Sequence, residues 1–221
     1  MHGAGLEAEA KEIFSKTYKT ATEFNVSGHI RKLLRYGYRT EAEKPYRQTK
    51  YKAKTFDSQD IETLHTMDFD EQAHDLFTVT VRKAKFNVHD IIRLFEMVGF
   101  RTESEKLYEE TVTKLNSFDD TTVNAIVILR KAGLFESAAD VYSKTEYYIH
   151  RWDIDHITQL KLANMRKEAR DLYGKTKQWA GHEDPFPIIE KLKAVGLDED
   201  ADDFRGIAMA RNQKRNNALN A

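Results

Sequence analysis

Apolar residues recur along almost the whole chain in pairs of short amphipathic segments, and each pair is separated by a residue that favours a tight turn. The turn residues are Gly5, Gly37, Asp68, Gly99, Gly133, Asn164 and Gly196. Their successive spacings are 32, 31, 31, 34, 31 and 32 residues. Gly, Asn and Asp tolerate the left-handed backbone conformation that ends many helices. The pattern therefore predicts tandem copies of one helix-turn-helix unit.

The segment before each turn has the spacing of a helix with one buried side. Isoleucine stands seven residues before six of the turns, at Ile30, Ile61, Ile92, Ile126, Ile157 and Ile189. Leucine or phenylalanine stands four residues before the same turns, at Leu33, Leu64, Phe95, Leu129, Leu160 and Leu192. Residues three apart share one side of an α-helix. These rows predict the buried seam of a first helix, helix A, whose start is marked by an aromatic residue before Asn or Asp, as in Phe56-Asp57.

The segment after each turn predicts a second helix, helix B. Nine residues after the turn the side chain is mostly aromatic, at Phe14, Tyr46, Phe77, Tyr108, Tyr142 and Tyr173. Twelve residues after the turn it is threonine, at Thr17, Thr49, Thr80, Thr111, Thr145 and Thr176. Both rows lie on one helical face, which we expect to be buried. A helical threonine usually bonds the carbonyl one turn back, so we interpret the threonine row as packing, not as a ligand site.

These repeats predict an all-α fold, an α-solenoid of about six whole helix-turn-helix repeats preceded by an N-terminal half repeat. We predict a single repeat domain over residues 1–209 and a polar, frayed C-terminal tail over residues 210–221. Pro45 lies inside a predicted helix B and is expected to kink or shorten it. The half repeat has no helix A before it, so its apolar residues Ile13 and Phe14 predict self-association or docking against another chain.

One copy of the repeat resembles a known family in its second helix. Residues 133–145 read G-L-F-E-S-A-A-D-V-Y-S-K-T, and pentatricopeptide hairpins place Gly at the turn, Ala five residues on, and an apolar-aromatic pair at eight and nine. The chain is similar to the pentatricopeptide and tetratricopeptide superfamily over nearly its whole length, with a divergent period of 31–34 residues. The resemblance implies RNA reading by the residue nine before each turn, and of these only Asn124 is a typical choice.

Composition narrows the classes of protein. Charged residues make up 32% of the 221 residues, and mean hydropathy is −0.67. Cysteine is absent, which excludes disulfides and cysteine metal sites. No apolar run approaches the roughly 20 residues of a membrane span. We therefore expect no membrane association, and a cytoplasmic or other reducing intracellular location.

Enzyme motifs are not found in the sequence. The eight histidines form no H-E-x-x-H pair and no order typical of a catalytic triad. The segment from His150 to His156 has metal-ligating residue types, but we interpret it as a surface loop without fixed ligand geometry. The sequence therefore predicts no enzyme, no catalytic residue, no cofactor and no metal.

Two features of the sequence suggest binding surfaces. The A helices of the fourth and fifth repeats carry apolar residues where other repeats are polar, and we predict a site for a partner protein there, formed by Leu94, Met97, Val127, Ile128 and Lys131. Cations collect at the ends of the B helices, where they complement the helix dipole. When the repeats stack, they would form a lysine-rich edge for nucleic acid with Lys50, Lys52, Lys54, Arg82, Lys83 and Lys85.

The sequence thus leaves three hypotheses for function. The first is a non-enzymatic protein-interaction scaffold, a short right-handed solenoid that binds its partner through the central A helices. The second is sequence-tolerant RNA or DNA binding along the lysine-rich edge. The third is a structural subunit of a larger viral or organellar assembly, joined through the uncapped N-terminal helix.

Overall fold

A computed structural model describes residues 11–12, 14–16, 24–180 and 183–219, and this part of the chain contains helices and turns but no strand. The all-α repeat fold is therefore confirmed. The chain forms two compact units, residues 1–114 and 115–221. Each unit is a series of helical hairpins, so the predicted single domain over residues 1–209 stays a prediction.

The first unit contains helices α1 to α6. Helix α1 has a π-helical start, Val26–Ile30, and an α-helical end, Arg31–Arg35. It is followed by α2 (Arg39–Thr49), α3 (Ser58–Thr66), α4 (Asp70–Thr80), α5 (Val88–Glu96) and α6 (Arg101–Val112). Short 3₁₀ turns, Lys50–Lys52 and Val81–Lys83, follow α2 and α4.

The second unit contains α7 (Asp120–Lys131), α8 (Phe135–Thr145), α9 (Ile154–Leu162), α10 (Arg166–Thr176), α11 (Pro185–Ala194) and α12 (Asp198–Leu219). Its 3₁₀ turns are Glu146–Tyr148 and Lys177–Trp179. In both units the odd-numbered helices are A helices and the even-numbered helices are B helices. Each A helix packs on the B helix that follows it, and neighbouring A helices of a unit pack on each other.

The six described turn residues all adopt the predicted left-handed conformation, with φ between 56° and 85°, and Gly5 lies outside the described residues. The N-caps are also confirmed. For example, the Asp57 carboxylate accepts a hydrogen bond of 2.8 Å from the amide of Gln59. The threonine row from Thr49 to Thr176 is buried as predicted, and each of these hydroxyls donates to the carbonyl four residues earlier, as Thr145 does to Val141 at 2.6 Å, while Thr17 lies outside the described residues. These features depend on short stretches of chain, which explains why the sequence predicts them.

The predicted seam of α5 is wrong by one residue. Ile91 and Leu94 are buried, whereas Ile92 and Phe95 are only half-buried. The N-cap Asn87 precedes Gly99 by 12 residues, while Asp57 precedes Asp68 by 11. The buried side of α5 follows from the distance to its N-cap, Asn87, and not from the distance to Gly99. The extra residue therefore lies after the helix, where the backbone of Met97 is extended.

In helices α1 and α11 the N-cap also precedes the turn residue by 12 residues, and each helix accommodates the extra residue in its own way. In α1 it widens the first turn into a π-helix, which restores Ile30 and Leu33 to the buried side. In α11 the buried residues are Ile188 and Leu192, so Ile188 replaces the predicted Ile189 in the seam. The spacing to the turn therefore predicts the buried side of α1 correctly, but not that of α5 or α11.

Two further expectations are corrected by the structure. Helix α2 is not shortened by Pro45, because it spans 11 residues, as α4, α8 and α10 do, and Pro45 is buried within it. The polar tail is not frayed where it is described. Helix α12 continues through Ala210 to Leu219, and Arg211 donates a hydrogen bond of 3.3 Å to the carbonyl of Ala180.

Candidate functional site

A tyrosine, an aspartate and a lysine join successive hairpins in each unit. In the first unit the Tyr46 hydroxyl donates to Asp75 Oδ2 at 2.6 Å, and Lys50 Nζ donates to the same oxygen at 2.7 Å. The second unit repeats this arrangement with Tyr173, Lys177 and Asp203. These polar side chains therefore join each repeat to the next.

The third pair of this kind is Tyr142 and Asp171, joined at 2.7 Å. Lys175 supplies the cation there and also donates to Glu146 at 2.6 Å. Burial raises the pKa of the Tyr142 hydroxyl, and the Asp171 hydrogen bond raises it further. Burial alone would raise the pKa of Asp171, but hydrogen bonds from Lys175 and Tyr142 bring it below its ordinary value.

Sequence reasoning missed these contacts, although the signal was present. Each tyrosine stands nine residues after its turn, and each aspartate stands seven residues after the next turn. Where the aromatic residue is Phe77, which has no hydroxyl, the matching position of the next repeat holds Lys106 in place of aspartate. The pairing is visible in the sequence when the position nine residues after one turn is read together with the position seven residues after the next turn.

A second repeated contact stacks the ends of the B helices in the first unit. Lys83 Nζ donates to the carbonyl of Ala53, and Lys114 Nζ donates to the carbonyl of Ala84 at 2.7 Å. Each bond joins the end of one B helix to the loop that follows the preceding B helix. Three successive loop regions of the first unit therefore lie side by side along one edge.

The site predicted on the central A helices is altered by the structure. Leu94 is 0% exposed, so its predicted outward position is wrong, because the register of α5 turns it into the core. Met97 is half-buried in the loop after α5. In the second unit, Val127 and Ile128 are half-buried on α7 and Lys131 is exposed. The predicted set is thus divided between the two units, and Leu94 does not reach the surface.

The predicted lysine-rich edge lies wholly within the first unit. Lys50 and Lys83 are engaged in the contacts described above. Lys52 is exposed and lines a cavity together with Lys54. Lys54, Arg82 and Lys85 are exposed and form no hydrogen bond or ion pair with described residues. We call the predicted cations together with Lys114 the basic edge.

The charge of the basic edge is balanced only in part by nearby acids. Asp57 caps α3, and Asp90 accepts a hydrogen bond from the Ser58 hydroxyl. Burial raises the pKa of Asp60 to about 6, and the neighbouring charge of Asp57 contributes to the rise. An exposed aromatic ring, Tyr51, lies on the same edge with 70% of its surface accessible. The edge therefore combines a cluster of cations with an exposed aromatic ring.

The cavity on the basic edge has a volume of about 200 Å³. It is lined by Phe24, Lys52, Ala53, Lys54, Thr55, Asp57, Asp60, Leu76 and Thr80. The lining contains an aromatic ring, two cations and two carboxylates, so it presents polar groups of both signs around a partly apolar wall. Among described residues, none donates a hydrogen bond to the Asp60 carboxylate.

A cluster of metal-ligating residue types is found in the second unit. Asp120, Asp153 and His156 have ligand atoms within 4.8 Å of one another. Arg151 lies 3.5 Å from Asp120 and 3.4 Å from Asp153, so its guanidinium already supplies the positive charge. His156 belongs to α9 and is buried, so the interpretation of this histidine as part of a surface loop is wrong. His150 is exposed outside the helix, as predicted.

Two remaining expectations concern the membrane and the N-terminal helix. Among the helices of the described residues, none is long and apolar enough to cross a membrane. Ile13 of the predicted uncapped face lies outside the described residues. Phe14 is half-buried, with its ring centre 6.2 Å from that of Tyr38.

Comparisons with family models, curated proteins and solved structures found no match to this chain. The resemblance to pentatricopeptide and tetratricopeptide repeats therefore stays a prediction.

Proposed function

We propose that this chain is a non-enzymatic binding scaffold that holds single-stranded nucleic acid along the basic edge of its first unit. The observation that supports the proposal most directly is the exposure of Lys54, Arg82 and Lys85 on two adjacent loop regions. The backbone of one strand carries phosphates at regular intervals, and a row of cations binds it through release of counterions. The bond from Lys83 to Ala53 maintains the spacing of these loop regions.

Nucleic acid fits this edge better than an apolar protein segment does. The edge offers Tyr51 as an exposed ring, and bases stack on such rings largely without regard to sequence. The Lys50 ammonium lies over that ring, 4.9 Å from its centre, which places positive charge at the aromatic group. Burial of Leu94, in contrast, removes an apolar residue from the predicted protein-binding site.

Charge reversal on the basic edge tests the proposal. We expect Lys54→Glu/Arg82→Glu/Lys85→Glu to weaken binding of a fluorescein-labelled oligouridine at least about tenfold at ~0.1 M salt. The slope of log affinity against log salt should fall by about two, because three phosphate contacts are lost. Fluorescence anisotropy over a range of salt concentrations measures both quantities.

The matched control changes three exposed lysines of the same unit that lie outside the basic edge. Lys32→Glu/Lys44→Glu/Lys106→Glu introduces the same change in net charge. It should retain most of the affinity if the edge is the site. Equal loss in both triple variants, or no binding by the unaltered protein at low salt, would contradict the proposal.

A protein partner on α7 is the second candidate. Val127 and Ile128 stand where α9 carries Thr158 and Gln159, so α7 presents apolar side chains at positions that are polar in the next A helix. We expect Val127→Thr/Ile128→Gln to abolish nuclease-resistant partner capture from the native source without loss of helical circular dichroism. Unchanged capture would exclude this surface, and capture that is lost on nuclease treatment would favour the basic edge.

A further inference from the structure

The first turns of neighbouring A helices are joined by a polar pair in each unit. The first residue of one A helix bonds the third residue of the next. Ser58 of α3 donates to Asp90 of α5, and Asp120 of α7 is bonded to His156 of α9 at 2.6 Å. The contact therefore recurs in two unrelated pairs of side chains, which indicates that the stacking of A helices creates it.

Asp60 occupies this third position in α3, but among the described residues it has no polar partner there. The matching first residue of α1 is Val26, which is apolar and buried. The Asp60 carboxylate therefore accepts no hydrogen bond from any described residue. It lines the cavity on the basic edge, where it is partly shielded from water. A partly buried carboxylate without a hydrogen-bond partner is stabilised most by a ligand that supplies hydrogen-bond donors.

The other groups around the cavity limit which ligand fits. Asp57 already accepts hydrogen bonds at the start of α3, whereas the Asp60 carboxylate of the lining accepts none from the residues that the structure describes. Lys52 and Lys54 place positive charge at the cavity, which opposes a metal ion and favours a ligand with a phosphate. The volume of about 200 Å³ is below the roughly 300–1,000 Å³ of sites for drug-sized ligands, so it suits a single ring system.

Among the bases, guanine offers the best match to a carboxylate. Its imino N1–H and amino N2–H point in the same direction, so both can donate to the two oxygens of one carboxylate, as the two N–H groups of arginine do. Adenine and cytosine offer an amino group beside an acceptor nitrogen, and uracil offers one imino group between two carbonyls. A carboxylate that stays ionised therefore discriminates in favour of guanine.

We propose that the cavity on the basic edge takes a guanine base of the bound strand, with Asp60 accepting hydrogen bonds from N1–H and N2–H. Phe24 supplies an apolar wall, and Lys52 and Lys54 lie beside the neighbouring phosphate. This inference rests on the proposed function, since the strand must first lie along the edge. It adds a preference for one base at one position to binding that is otherwise tolerant of sequence.

The test compares short labelled oligouridines that carry one central guanosine, inosine or adenosine, at about pH 7.5. We expect the guanosine strand to bind about tenfold more tightly than the adenosine strand. The inosine strand should fall between them, because inosine keeps N1–H and lacks the N2 amino group. This series needs no variant, so it stands even if a substitution unfolds the protein. The same series with deoxyribose distinguishes DNA from RNA as the strand.

Asp60→Asn should remove the guanosine preference while binding of plain oligouridine is retained. Asp90→Asn is the matched control, because it changes the same position of the next A helix, whose carboxylate is bonded to Ser58. It should keep the preference. Equal binding of all three strands by the unaltered protein, or equal loss of preference in both variants, would overturn the guanine assignment and leave the basic edge intact. Failure of every strand to bind would contradict the proposed function itself.

Discussion

Replacing Leu94 by alanine should lower the free energy of unfolding of the first unit by about 2–5 kcal/mol. The side chain is 0% exposed within α5, and its removal leaves a cavity that the packed helices cannot fill completely. Urea unfolding followed by circular dichroism measures the effect. The result shows whether Leu94 is a core residue or part of a binding surface. The spacing to Gly99 had predicted that it is part of a binding surface.

Val98→Ala is the matched control for this experiment. Val98 lies four residues further along the same segment, and 84% of its surface is exposed. Its replacement should change the free energy of unfolding by less than about 0.5 kcal/mol. If Leu94→Ala were as mild as Val98→Ala, the register of α5 described above would be wrong, and Leu94 would return to the candidate binding surface.

Asp171→Ala should destabilise the second unit by about 1–3 kcal/mol. The change leaves the hydroxyl of Tyr142 without its acceptor, although only 4% of that residue is exposed, while Lys175 keeps its bond to Glu146. Tyr142→Phe should destabilise the unit less than Asp171→Ala does, because it removes the buried hydroxyl itself and leaves no unpaired donor at this position. The chain itself carries phenylalanine at the matching Phe77.

A double-mutant cycle on Tyr142 and Asp171 isolates the contribution of their hydrogen bond. If the two single changes were simply additive in the double variant, the bond would contribute nothing to stability. The pH dependence provides a second check. Because the pKa of Asp171 is lowered in the folded protein, its stabilising effect is present above the unfolded value near 4 and is lost as pH falls through the folded value. The difference between Asp171→Ala and the unaltered protein should therefore shrink in acid.

Much of the fold could be predicted from short stretches of sequence. The turn residues, the N-caps and the threonine row each depend on the conformation of a few neighbouring residues, and the described members of each set are found where they were predicted. The seam of α5 was not predictable in this way. An extra residue can widen a helix, as in α1, or extend a loop, as at Met97, and the spacing alone does not distinguish these outcomes.

The candidate site also has some features that the sequence determines and others that only the packing of the repeats determines. The sequence alone determined that cations collect at the ends of the B helices, because their positions follow the repeat. Only the tertiary structure decided which of them are engaged: Lys50 is bonded to Asp75 and Lys83 to Ala53, whereas Lys54 and Arg82 remain exposed. It also decided that Asp60 lines a cavity and that no described residue donates a hydrogen bond to its carboxylate, since the matching first residue of α1 is Val26. The reason is physical: the repeat pattern sets the positions within one hairpin, but a side chain's partners come from the next hairpin, about 30 residues away in sequence.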